Sequence, residues 1–242
     1  VRSRRQRQMC IRDSLWPRAG SWPAFAAGDD ADAVLLGVPT WRTSLSPTGA
    51  HATPAAIREA LTRYSAALMG PPVVDLTEAL RVLDAGDVAE PDGEDGIAAT
   101  VARVRELADA TRLVIALGGD NALTYPVARG ARATGLITID AHFDLRDGIS
   151  NGSPVRRLIE DAPEGERIDP TRIVQIGIAD FANSAAYAAR AADWGIRVIT
   201  LDEVRRRGIA EVIAEATRIA GAGAGARIHL DVDVDACLLY TS

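Results

Sequence analysis

Gly135-Leu-Ile-Thr-Ile-Asp-Ala-His-Phe-Asp144 decides the reading of this chain. An apolar, β-branched run, Gly135 to Ile139, ends in one imidazole and two carboxylates. Alternation along an extended segment puts Asp140, His142 and Asp144 on the same side. Hard oxygen and borderline nitrogen donors suit a divalent ion such as Mn²⁺ or Zn²⁺. A second cluster, Asp231-Val-Asp233-Val-Asp235, closes another apolar run and repeats the spacing with carboxylates alone. Two acidic strand ends predict two metal ions.

Short β-branched runs recur on either side: Ala33 to Gly37, Leu113 to Leu117, Leu136 to Ile139, Ile173 to Ile176, Ile196 to Thr200 and Arg227 to Leu230. Most read as fully buried strands. Between them lie Ala- and Arg-rich segments with helical spacing: Pro54 to Leu68, Gly96 to Ala110, Ser184 to Ala192 and Ile209 to Ala220. Strands alternating with helices predict a three-layer α/β/α fold around a mainly parallel, doubly wound sheet. Ligands of such sheets gather beyond the carboxyl ends of the strands, where the acidic clusters lie. Gly221-Ala-Gly-Ala-Gly225 precedes a strand and opens no helix, so it reads as a turn rather than a phosphate loop.

A chain of 242 residues that is 48% hydrophobic and 25% charged has ample material for one globular core. A net charge of −6 argues against general nucleic-acid affinity. The basic start, Arg2 to Arg7, reads as a tail. No apolar stretch reaches the roughly 20 residues needed to span a bilayer, and the N-terminus lacks the apolar core of a secretory signal. The expected location is the cytoplasm. Cys10 and Cys237 lie far apart in flanks whose composition differs from the body, and they make no case for a disulfide or zinc ribbon. Those flanks, "RQRQMCIRDS" and "CLLYTS", read as non-native. The expected organisation is a single domain over residues 15–236, with non-native or disordered tails at 1–14 and 237–242.

Leu117-Gly-Gly-Asp-Asn121 follows its own strand, and its paired glycines permit a tight exit from the sheet. Taken with "DAHFD" and "DVDVD", it resembles the ureohydrolase superfamily (arginase, agmatinase, formimidoylglutamase), whose motifs run GGDH, DAHxD, then Asp-x-Asp-x-x-Asp. The resemblance extends from about Val34 to Asp235. It includes "GVPTWRTSLSPTGAHATPAAIREAL", similar to the family's early loop and first long helix, and "SNGSP". It implies an arginase-like fold, truncated at the C-terminus, because complete members continue past the last acidic motif with further sheet and helix and a pocket-closing Glu.

The resemblance also implies a ligand set for two Mn²⁺ ions. Asp140 would bridge them, His142 would bind the second and Asp144 the first, with Asp144 moving a proton to the leaving nitrogen. The last motif has two registers: Asp233 with Asp235, the favoured one, or Asp231 with Asp233. Asn121 stands where most relatives place a His ligand. An uncharged amide oxygen would hold the first metal more weakly, and this departure resembles formimidoylglutamases. Arg146, two residues past Asp144, points the same way. A guanidinium grips a carboxylate with two parallel hydrogen bonds and repels a cationic agmatine tail.

Asn151 and Ser153 are candidates to orient the substrate. The implied reaction is hydrolysis of N-formimidoyl-L-glutamate to glutamate and formamide, a step of histidine breakdown. The alternatives are a guanidino hydrolase acting on agmatine or guanidinobutyrate and a catalytically silent metal-binding fragment. By the same resemblance the partners are a small amidine bearing carboxylates and further copies of the chain, as a trimer or hexamer. His51 reads as a loop residue near the site entrance and His229 as an ordinary strand residue. Arg146 pairing only with Asp147 is the competing reading of that side chain, and Arg156 and Arg157 read as helix-surface charges.

Overall fold

All six apolar runs singled out above form strands in the computed structural model, which describes residues 18–236; both flanks read as non-native lie outside the described residues. In chain order the first elements are β1 (Ala31–Val38), α1 (Thr53–Leu61), β2 (Ala67–Leu68), β3 (Val74–Asp75), α2 (Leu76–Ala79), β4 (Val82–Asp87), α3 (Gly93–Ala110) and β5 (Thr111–Gly118). Then come α4 (Thr124–Gly130), β6 (Gly135–Ile139), α5 (Pro154–Glu160), β7 (Ile173–Ile178), α6 (Ala185–Trp194), β8 (Arg197–Thr200), α7 (Leu201–Arg207), α8 (Ile209–Ala220) and β9 (Ile228–Val232). Among the described residues no helix is long and apolar enough to cross a membrane.

The strands pair in two parallel groups, β4-β1-β5 and β8-β7-β6-β9, with β2 and β3 forming a small antiparallel pair. Parallel pairing needs crossovers long enough to hold a helix, which is why helices alternate with strands here. Successive residues of β6 face opposite layers. Leu136 packs with Tyr125, Phe143 and Leu158 on one side, and Ile137 packs with Val212, Ala216 and Ala220 of α8 on the other. Those three α8 residues recur at a spacing of four, so they form one stripe, and burying it is what holds α8 on the sheet. The first group builds its core from Val34 and Leu36 of β1 against Val104 and Leu107 of α3.

Two expectations are corrected. The helix predicted over Pro54 to Leu68 stops at Leu61. Beyond it the backbone serves other partners: the Tyr64 carbonyl accepts the Ala19 N–H and the Ala66 carbonyl accepts the Leu76 N–H. Strands β5 and β9 are not fully buried, because among the described residues each is paired on one side only. Leu113 of β5 is 54% exposed, and Leu230 of β9 is 55% exposed.

Candidate metal centre

The parallel ladder continues past the strands and aligns their acidic ends. Asp140 N–H donates to the Ile176 carbonyl at 2.9 Å, and Asp233 N–H donates to the Ile139 carbonyl at 3.0 Å. The Asp140 carboxylate then accepts the His142 N–H at 2.7 Å, which folds the chain back sharply. Asp233 accepts the Asp235 N–H at 3.1 Å in the same manner. Asp235 therefore returns over β6, and its Oδ2 lies 3.0 Å from His142 Nδ1, which also lies 3.4 Å from Asp140 Oδ1. Ligand atoms from Asp140, His142 and Asp235 all fall within 4.8 Å of one another.

Asn121 reaches this cluster from the other sheet. A Cβ on Gly119 would run into the carbonyl oxygen of Thr40, so only glycine lets β5 exit this close to the loop after β1. Thr40 clasps the turn from both sides: its carbonyl accepts the Asp120 N–H at 2.9 Å, and its hydroxyl donates to the Asp120 carbonyl at 2.9 Å. Asn121 then donates from Nδ2 to Asp144 and accepts the Thr124 hydroxyl at 2.9 Å. Its amide is thus turned with the nitrogen toward the cluster.

The electrostatics are those of crowded carboxylates. Burial, and next the negative charge of Asp140, push Asp144 well above the usual carboxylate range. Burial likewise raises Asp233. Hydrogen bonds to Asp140 and Asp235 raise His142 to about 10, and His142 in turn lowers Asp235. Asp235 Oδ1 is buried and has no hydrogen-bond partner among the described residues. Four carboxylates and one imidazole, with an orphaned oxygen among them, fit a hard or borderline divalent cation.

A cavity of about 400 Å³ opens over the cluster, lined by Asn121, Asp140, His142, Asp144, Asp233 and Asp235. Asp231, the alternative ligand, is not among its lining residues. Arg146 lines the cavity too. The competing partner, Asp147, is instead held by Arg190 at 2.8 Å. Asn151 also lines the cavity, but its Oδ1 accepts the Leu45 N–H at 3.1 Å, and its N–H donates to the Thr43 carbonyl at 3.2 Å. It clasps the loop after β1 to the loop before α5.

Ser153 lies apart from the cavity lining. It is fully buried, its hydroxyl donating to the Ser150 carbonyl at 2.8 Å and accepting the Ser150 N–H at 2.9 Å. Its place is inside the turn, so a substrate contact is replaced by a turn-holding role. Arg156 and Arg157 are corrected as well, from surface charges to buried ones. Arg156 donates to the Arg146 and Gly148 carbonyls, each at 2.7 Å, and pairs with Asp161 at 2.9 Å. Arg157 stacks on Tyr125 with its guanidinium carbon 3.8 Å from the ring centre. His51 is exposed and packs on Trp41, with ring centres 5.2 Å apart. His229, in β9, is lowered to about 4 by burial.

Sequence reading missed Asn183, Ser184 and Tyr187, which line the cavity from the loop after β7 and the start of α6. Their signal was weak, since Ser184 also reads as a plain N-cap and does accept the Tyr187 N–H.

Comparison with known proteins gives a consistent picture. The model of the arginase family matches residues 31–238. The chain is 34% identical over 193 residues to formimidoylglutamase of Bacillus subtilis, covering 75% of this chain and 59% of that one. The crystal structure of the Bacillus subtilis protein superposes with a TM-score of 0.80 at 28% identity, covering 93% of this chain and 72% of that chain. Formiminoglutamase of Trypanosoma cruzi, solved with Mn²⁺, gives a TM-score of 0.77 at 26% identity, over 91% and 75% of the two chains. Guanidinopropionase of Pseudomonas aeruginosa is 32% identical over 211 residues, covering 83% of this chain and 65% of that protein. The chain thus spans about 59–65% of the length of these sequence relatives.

Proposed function

The chain belongs to the arginase family, and from that premise we propose that it hydrolyses a C–N bond of a linear amidine carrying a carboxylate, foremost N-formimidoyl-L-glutamate, to give L-glutamate and formamide. Arg146 carries this reading. Its guanidinium lines the same cavity as the carboxylate cluster and makes no ion pair among the described residues. A planar fork of donors suits a carboxylate held in two parallel hydrogen bonds.

Asp140, His142, Asp144, Asp233 and Asp235 would hold Mn²⁺, in two sites by family resemblance, with Asn121 beside the first. Bound there, the metal would supply Lewis-acid activation of water at neutral pH. The remaining tasks fall to the chain's own residues. Arg146 holds the substrate's acidic end, which sets the amidine carbon over the cluster. Asp144, which lines the cavity beside the cluster, is placed to move a proton to the departing nitrogen. Asn121, donating to Asp144 through Nδ2, keeps that carboxylate turned inward. Asn151 holds Leu45 in the cavity lining.

A guanidino acid that releases urea is the second reading, because Arg146 would grip its carboxylate equally well. Agmatine is disfavoured by its cationic tail. The test is product analysis with Mn²⁺ present, measuring formamide from N-formimidoyl-L-glutamate beside urea from guanidinopropionate, guanidinobutyrate, agmatine and arginine. Formamide alone supports the principal reading. Urea from a guanidino acid moves the chain to the second, and urea from agmatine removes Arg146 as selector. No product from any of them, with Mn²⁺ bound, supports a silent metal-binding role.

A further inference from the structure

Of the clustered aspartates only Asp144 sits on left-handed backbone, with φ +54°. That conformation is sterically unfavourable for an L-residue, though Asp tolerates it better than most, and here the surroundings fix it. The imposition comes through the preceding residue. Phe143 N–H donates to Asn183 Oδ1 at 3.1 Å, and the Phe143 carbonyl accepts Gln175 Nε2 at 2.8 Å. Both polar groups of one residue are thus held by amide side chains, while its ring is anchored in the core at 4% exposure.

The two amides are themselves fixed. Asn183 Nδ2 donates to the Ala141 carbonyl at 2.8 Å and lies 3.4 Å from the Ala179 carbonyl. Turning the amide over would set nitrogen against N–H and oxygen against two carbonyls. Gln175 sits in β7 with no exposed surface, and its Oε1 has no partner among the described residues. A buried amide left half-satisfied is costly. Its one good bond goes to Phe143. On the far side of Asp144, the Asp144 carbonyl accepts the Arg156 N–H at 3.3 Å and the Leu145 carbonyl accepts Arg190 Nη1 at 2.7 Å.

We infer that Asn183 and Gln175 are positioning residues for Asp144: by clamping Phe143 they hold its successor in the left-handed conformation that turns the carboxylate into the cavity, and so set the affinity of the centre for a divalent metal. The inference rests on the proposed role of Asp144 as a metal ligand. It assigns function to two neutral side chains outside the acidic cluster. Partners that orient a ligand in this way change metal affinity by roughly 10- to 100-fold when removed.

The experiment is Mn²⁺ titration by calorimetry, with the electron paramagnetic resonance spectrum of the bound ion, on the parent chain, Asn183→Ala, Gln175→Met and Asp144→Asn. Thermal melts of the metal-free proteins are run alongside. Asn183→Ala and Gln175→Met are each expected to raise the Kd for Mn²⁺ by roughly 10- to 100-fold and to alter the spectrum while the chain still melts cooperatively. Their combination should fall short of the product of the two effects, because both act on one residue. A Kd within about twofold of the parent in either folded variant, with Asp144→Asn weakened, overturns the inference alone. Should Asn183→Ala not fold, Gln175→Met decides on the same criterion. Unchanged affinity in Asp144→Asn overturns the ligand reading, and the inference with it.

Discussion

His142 and Asp235 leave different strands, yet Nδ1 of the first lies 3.0 Å from Oδ2 of the second. This contact favours the register in which Asp233 and Asp235 are the ligands of the last acidic motif. Asp235→Ala is expected to raise the Kd for Mn²⁺ at least tenfold, whereas Asp231→Asn should leave it within about twofold, about 0.4 kcal/mol. Calorimetric titration of both variants checks this. The reverse order would establish the other register.

Asp231 supplies a pH-dependent contrast. Burial, and next the charge of Asp140, raise it to about 7, and its Oδ2 has no hydrogen-bond partner among the described residues. A carboxyl whose folded pKa exceeds its unfolded one favours the fold at low pH, and that contribution is lost progressively as pH rises from the ordinary carboxylate value through about 7. Asp231→Asn should therefore raise the Tm of the metal-free chain at pH 8 by about 2–4 °C, the shift expected for about 1 kcal/mol in a chain of this size. A smaller rise is expected at pH 5, which lies between the unfolded and folded values, and little change below about pH 4. Equal shifts at pH 8 and pH 5 would count against the assignment.

Substrate selection is tested at Arg146. Loss of a bidentate, charge-assisted contact costs about 1.5–3 kcal/mol, so Arg146→Ala should raise KM for N-formimidoyl-L-glutamate by roughly 10- to 100-fold with kcat changed much less. Arg146→Lys keeps the charge and loses the fork, and should fall between. An unchanged KM in steady-state assays would remove Arg146 from the substrate site.

Asn121→His exchanges an uncharged amide for an imidazole donor at the position proposed to lie beside the first metal. The expected result is Mn²⁺ binding tighter by roughly tenfold, or about 1.4 kcal/mol, read by calorimetry. Binding no tighter than in the parent would mean that Asn121 acts only through its hydrogen bond to Asp144.

Arg156 holds two loop carbonyls and Asp161 from a buried position. Arg156→Met removes the guanidinium and leaves its acceptors unpaired, an effect of about 3 kcal/mol and a fall in Tm of about 6–12 °C. Thermal denaturation checks it. A fall under about 2 °C would return Arg156 to the role of a surface charge.

Much of this protein was written into its residue order. The apolar runs located β1, β5, β6, β7, β8 and β9, and the spacing of Ile209 to Ala220 located α8, because both patterns depend only on which neighbours share a face. Shorter or more polar elements escaped: β4 carries Asp84, Gly86 and Asp87 within Val82–Asp87, and α5 begins at a proline after a loop. The motifs at Asn121, Asp140 to Asp144 and Asp231 to Asp235 offered candidate metal ligands by residue type, and the structure brings Asp140, His142 and Asp235 together. What a polar side chain finally touches was decided by tertiary structure alone. Ser153 turned inward to Ser150, Arg156 became a buried tie, and Asn183 and Gln175 met at Phe143 from separate segments. Periodicity reports the face a residue occupies, but a hydrogen-bond partner is fixed only when the chain brings distant carbonyls and amides within about 3 Å.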